Sequence, residues 1–142
     1  MNLRFVGFFK ELHARARHDL PRAKELVGSL DEQDARSVLK YLAGGVPFMD
    51  AALTQHDPID SRLIIPGGMT LVSDGIWVWP DDLRYLVERY RIGLARDFVE
   101  RCAGGRALNS DERAFIVRRG PLLDQALQAW LSSSGSEHDY AS

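Results

Sequence analysis

The stretch that decides the fold runs Met69-Thr70-Leu71-Val72-Ser73-Asp74-Gly75-Ile76-Trp77-Val78-Trp79-Pro80-Asp81-Asp82-Leu83-Arg84-Tyr85-Leu86-Val87-Glu88-Arg89-Tyr90. Two short runs rich in β-branched and aromatic residues meet at an Asp-Gly pair, and glycine accepts the positive φ that tight hairpin turns demand. A β-hairpin near 69–79 follows. Strand alternation puts Trp77 and Trp79 on one face and Ile76 and Val78 on the other, so the hairpin either buries both faces or exposes an aromatic one. Pro80 closes the strand and suits a helix start, Asp81 and Asp82 favour the positive end of a helix dipole, and Leu83, Leu86, Val87 and Tyr90 recur at helical spacing. A helix over about 81–91, covering the hairpin, is predicted.

Away from this stretch the pattern reads as helical. Phe5, Phe8, Phe9 and Leu12 form an i, i+3, i+4, i+7 stripe, and a second helix is expected near Pro21 with Ala23, Leu26 and Val27 on one face. Ser29 and Glu32 have capping-box spacing before Ala35, Val38, Leu39 and Leu42, and Gly44-Gly45 end that helix. Val46 to Asp60, with Pro47 and Pro58, reads as ordered loop with one turn of helix around Met49 to Leu53. Beyond Gly93, a short helix carries Leu94, Phe98, Val99 and Cys102. Another starts at Asn109 with Glu112, and a last one carries Leu123, Ala126, Leu127, Trp130 and Leu131. The expected fold class is α+β: a predominantly helical single domain over 1–131, with about six or seven helices and one small central hairpin. Residues 132–142, rich in serine, have too little apolar content to fold alone and read as a flexible polar tail.

The chain has 142 residues, 45% apolar and 27% charged, the composition of one globular domain with a real core. The apolar run after Arg4 is interrupted by Lys10, Glu11, His13, Arg15 and Arg17, too soon for an export signal or a bilayer span, so a cytoplasmic protein is expected. One cysteine, Cys102, makes no internal bridge. Its place beside Phe98 on an apolar stripe points to a buried thiol more than to a nucleophile, despite Arg101 and Arg106 nearby. Formal charge is −2. By block it runs +4 over residues 1–24, −7 over 25–83, +4 over 84–122 and −3 over 123–142. A nucleic-acid binder would show a net basic balance or a dense basic stripe, so nucleic acid is not the expected partner. The Arg-rich stretch 84–119 leaves a regulatory adaptor touching nucleic acid as a third reading.

No phosphate-cradling glycine motif is present, and His13, His18, His56 and His138 lack metal-ligand spacing, so no cofactor and no metal are expected and the histidines read as surface residues. Asp74, Asp81 and Asp82 are the densest acidic set and would serve general acid-base or divalent-metal chemistry if the hairpin tip and the helix start converged. Each also has a local reason to exist, as a turn residue or a helix-start residue. Trp77, Trp79, Tyr85 and Tyr90 concentrate aromatics in one segment, and with Arg84 and Arg89 they supply the residue types enriched at protein interfaces.

The run from Ser73-Asp74-Gly75 through Trp77-Val78-Trp79-Pro80, Asp82-Leu83 and on to Tyr90, with the short helix containing Phe98 after it, resembles an element of small bacterial proteins, most of them uncharacterised. That element reads Ser/Thr-Asp-Gly, an aromatic-rich strand, Trp-Pro or a close variant, Asp-Leu and a Tyr-ending helix. Some of those proteins are similar to immunity proteins encoded beside polymorphic toxins. The resemblance covers roughly residues 69–100 and brings no catalytic set with it. It implies a non-enzymatic domain that occludes a toxin. An acidic central block beside an aromatic segment suits a partner with a basic site on independent physical grounds, and against a nuclease the block would mimic phosphate. The expected partner-binding residues are Asp57, Asp60, Asp74, Trp77, Asp81, Arg84, Tyr85 and Arg89. The rival is a small metal- or carboxylate-dependent hydrolase or transferase using Asp74, Asp81 and Asp82.

Overall fold

The computed structural model describes residues 2–51, 54–66 and 69–133. In chain order the elements are β1 (Arg4–Phe5), a 3-10 turn (Ala23–Leu26), α1 (Glu32–Ala43), β2 (Val46–Ala51), β3 (Gln55–His56), β4 (Ile64–Ile65), β5 (Met69–Ser73), β6 (Trp77–Pro80), α2 (Asp82–Tyr90), α3 (Arg96–Gly104), α4 (Ser110–Arg118) and α5 (Gly120–Ser132). The hairpin forms as predicted. Its strands β5 and β6 pair antiparallel with Val72 opposite Trp79 and Ser73 opposite Val78, and Gly75 takes the turn at φ +100°.

The expectation of six or seven helices around one hairpin is overturned. Among the described residues five α-helices form, the hairpin is the middle of a mixed four-stranded sheet ordered β1-β6-β5-β2, and β3 and β4 make a separate two-stranded sheet. The first predicted helix is instead strand β1, parallel to β6, with the Arg4 N–H donating to Ile76 O at 2.8 Å and the Val6 N–H to Val78 O at 3.1 Å. Phe5 and Phe8 pack with the residues of one sheet face, Val6 and Phe9 with those of the other. β1 ends at Phe5, and beyond Gly7 at φ +85° the chain sends Phe8 and Phe9 into different clusters, a succession of buried residues that imitates a helical stripe. The second predicted helix shrinks to the 3-10 turn. The segment read as loop holds β2, whose Pro47 is tolerated because β2 is an edge strand and its pairing with β5 shifts register between Pro47 and Met49. Residues 52 and 53, the end of the expected helical turn there, and 134–142 of the expected tail lie outside the described residues.

Both faces of the sheet are covered. On one side Val72, Trp77 and Trp79 pack with Val38 and Leu42 of α1, Leu83, Leu86 and Val87 of α2, and Phe98, Val99 and Cys102 of α3. On the other, Leu71 and Val78 pack with Phe8, Leu20 and Leu127. The Phe98 ring stands edge-on to both tryptophans, with centroids 5.1 Å from Trp77 and 5.8 Å from Trp79. Local capping follows the sequence at α4, where Asn109 and Glu112 complete a capping box; at α1 the cap is Asp31 accepting from Asp34 N–H, and not Ser29. No described helix is long and apolar enough to cross a membrane.

The chain leaves α1 through Gly45, pressed against the sheet. A Cβ there would stand 2.4 Å from Trp79 Cζ2 and 2.6 Å from Val72 Cγ1. Gly45→Ala is therefore expected to cost about 1–3 kcal/mol by overpacking, read as a lower urea midpoint at unchanged slope. An unaltered midpoint would contradict this packing.

Candidate functional site

Two carboxylates organise the polar parts of the molecule, and each is built by its local sequence. In the hairpin turn, Asp74 Oδ1 accepts from Ile76 N–H at 2.9 Å and Trp77 N–H at 2.7 Å, while Ser73 Oγ donates to Trp77 O and accepts from Gly75 N–H. Asp74 Oδ2 reaches outward to other elements, accepting from Tyr41 Oη of α1 at 2.5 Å and Arg101 Nε of α3 at 2.7 Å. Burial and the Asp74 contact push the Tyr41 hydroxyl pKa far up. The neighbouring Cys102 thiol is pushed up to about 12 by burial, with the Asp74 charge adding to it, so it stays a protonated core group.

The second carboxylate is Asp57, on the strap that carries β3 and β4. Its Oδ1 accepts from Ile59 and Asp60 N–H at 2.7 and 2.9 Å, and its Oδ2 from Tyr85 Oη at 2.7 Å and Tyr90 Oη at 2.6 Å. Arg89 Nε stands 3.8 Å away. Burial pushes Asp57 up, but the tyrosine and backbone hydrogen bonds outweigh it and hold the carboxyl below its usual range. Asp60 is held low by its Arg62 hydrogen bonds.

The expected site residues therefore separate into two groups. Asp57, Asp60, Tyr85 and Arg89 come together where the strap meets α2, with Arg84 next to Tyr85 on that helix and Asp81 at its N-cap. Asp74 and Trp77 sit at the other end of β6. Asp57, Asp74 and Trp77 are buried, Asp60, Asp81 and Tyr85 half-buried, and Arg84 and Arg89 exposed. The acid-base set is divided in the same way: Asp81 and Asp82 line a cleft of about 430 Å³ beside α2, Asp74 lines a different groove, and the two share no lining residue. Among the described residues no group of three or more His, Cys, Asp or Glu is placed to hold a metal ion. His18 and His56 are exposed as expected, whereas His13 is half-buried against Phe8, and burial lowers its pKa. His138 is outside the described residues.

The groove that Asp74 floors was not anticipated. It has a volume of about 1080 Å³, runs between α3 and α4, and exposes Ile76 and Phe115 at 42% and 46%. Asp97, Glu100, Asp111 and Glu112 line it with Arg101 and Arg106, and both arginines are already engaged, Arg101 on Asp74 and Arg106 on Glu112. With Asp74 the lining carries five acidic and two basic side chains, a net −3, while Asp97 and Glu100 are paired in turn with Arg4 and Arg96 from outside the groove. A sequence signal for it existed: Phe115-Ile116-Val117 are consecutive on a helix and spread over about 200° of its surface, so they cannot all face the core. Ile116 does, and Phe115 and Val117 are left at the surface.

Comparisons with known protein families, curated proteins and solved structures found no match to this chain.

Asp57→Ala would leave two tyrosine hydroxyls and two backbone N–H groups without their acceptor, a loss of about 3 kcal/mol. Because the Asp57 pKa is depressed on folding, its stabilisation is present above the ordinary carboxylate range and fades as pH falls through the folded value. Acid unfolding of Asp57→Asn should accordingly be shallower than that of the native chain, measured by urea midpoints between pH 2 and 5. Equal pH profiles would deny Asp57 this role.

Proposed function

We propose that this chain is a non-enzymatic, cytoplasmic protein-binding domain that neutralises a cognate bacterial toxin by occluding it, and that the groove between α3 and α4 receives the toxin. The observation that carries this reading is the exposed pair Ile76 and Phe115 on the floor of a net-acidic groove. Large apolar side chains gathered in a concave, charged surround favour a protein partner: the apolar floor supplies anchoring area, and the carboxylates speed encounter with a basic surface. The acids in question come from α3 and α4, inside the block whose overall charge is positive, so the local fold sets the field and the block sum does not. Arg84 and Arg89 on α2 remain exposed for further contact with a large partner.

The hydrolase or transferase reading requires Asp74, Asp81 and Asp82 to act on one substrate. Their division between two depressions at opposite ends of β6 removes its geometric basis.

A photo-crosslinking residue at Phe115, compared with one at Gln128 on α5, tests the assignment in the source cell. A protein trapped from position 115 in preference to 128 should be toxic when expressed alone and harmless when co-expressed with this chain, and Phe115→Ala with Asp111→Lys should weaken protection at least tenfold. A trapped protein whose toxicity ignores this chain, or equal trapping at both positions, would refute the proposal.

A further inference from the structure

Among the described residues three aspartates are buried, and one of them is unlike the others. Asp57 and Asp74 each accept four hydrogen bonds, whereas both carboxyl oxygens of Asp82 are buried with no hydrogen-bond partner among the described residues. A carboxylate cannot stay charged in such a place at ordinary cost, because removal from water is not offset by any donor. Among the described residues the surroundings supply none. Of the cleft residues on α2 and at its cap, Asp81 is a like charge, Arg84 stands 4.0 Å from Asp81, Tyr85 donates to Asp57, Glu88 is acidic, and Arg89 donates to Tyr90 Oη. Pro66, from the connection after β4, does not titrate, and β6 contributes only Trp77, Val78, Trp79 and Pro80. The helix dipole at the start of α2 favours an anion, but without a hydrogen bond it is the smaller effect.

We propose that Asp82 is a proton-dependent latch: it seats beneath the first turn of α2 as the neutral acid and must leave when it ionises, loosening that turn and the strap of residues 54–66 attached to it. The attachment is on the next turn of the helix, where Tyr85 lines the same cleft and donates to Asp57 on the strap. Burial, with the Asp81 charge second, pushes the seated carboxyl up to about 7, which places the transition near neutral pH. The sign follows from linkage. The seated state holds its proton over a range in which the released side chain has lost it, so seating is favoured on the acid side. Opening then grows by roughly tenfold per pH unit from the ordinary carboxylate range up to neutrality, and levels off above it. The surface around α2 is accordingly tighter in acid than in mild alkali, independently of which partner the α3–α4 groove receives.

Hydrogen exchange on the full chain tests this, using the strap amides of Asp57, Ile59, Asp60 and Leu63, which are hydrogen-bonded when the strap is closed. Between pH 5.5 and 7.5, after correction for intrinsic exchange, their protection should drop at least tenfold in the native chain and stay level in Asp82→Asn. His56 also lies on the strap, and His56→Gln should keep the native response. Carbon-13 titration of the Asp82 carboxyl should find its midpoint near neutrality, moving to lower pH in Asp81→Asn, which decides the matter even if Asp82→Asn folds poorly. An Asp82 midpoint in the ordinary carboxylate range, pH-independent protection in the native chain, or a response that vanishes in His56→Gln would overturn the latch.

Discussion

The Asp74 carboxylate is the constraint on which the rest of the architecture leans. One oxygen closes the turn of its own hairpin, and the other takes hydrogen bonds from a tyrosine of α1 and an arginine of α3. A buried charge is tolerable only when its lone pairs are filled, so the three elements are obliged to meet at that point. With the turn fixed there, Trp77 and Trp79 are delivered onto the Phe98 ring, and the helices on that face of the sheet share one apolar cluster. The same contact turns Arg101 inward, beside the carboxylates of α3 and α4 that line the groove.

Buried aspartates recur as joints in this fold, and their occupancy separates structural positions from responsive ones. Asp74 joins hairpin to helices, and Asp57 joins the strap to α2 through two tyrosines. Both acids have been enlisted for packing, whereas Phe115 and Ile76 are among the large apolar side chains the fold leaves exposed. Asp82 belongs to neither class. Its burial without donors is a local conflict of the kind that well-packed sequences avoid unless the strained state is used.

The hairpin and α2 were legible because their signals are local. Asp74-Gly75 dictates a turn, the β-branched and aromatic runs on either side dictate strands, and Leu83, Leu86, Val87 and Tyr90 dictate one buried helix face. Strands β1 and β2 were not legible. Phe5, Phe8 and Phe9 satisfy helical spacing although only Phe5 lies on β1, Phe8 and Phe9 being buried beyond the turn at Gly7, and Pro47 disguises a strand that survives by lying at a sheet edge. For the site, the residue types were legible but their grouping was not. Tyr85, Arg89 and Asp57 converge through a strap whose path is fixed by the distant pairing of Gln55 with Ile65, while Asp74 and Asp81 part company because β6 runs its whole length between them.

The amino-acid sequence alone determined the turn, the helix that follows and the capping of α4, since each depends on neighbours within a few residues. Only the tertiary structure decided that β1 completes the sheet, that Asp57 and Asp74 are consumed as joints while Asp82 is left without a donor, and that Ile76 and Phe115 share a groove. Those outcomes depend on which hydrogen-bond donors and apolar surfaces arrive from far along the chain, and periodicity carries no record of such arrivals.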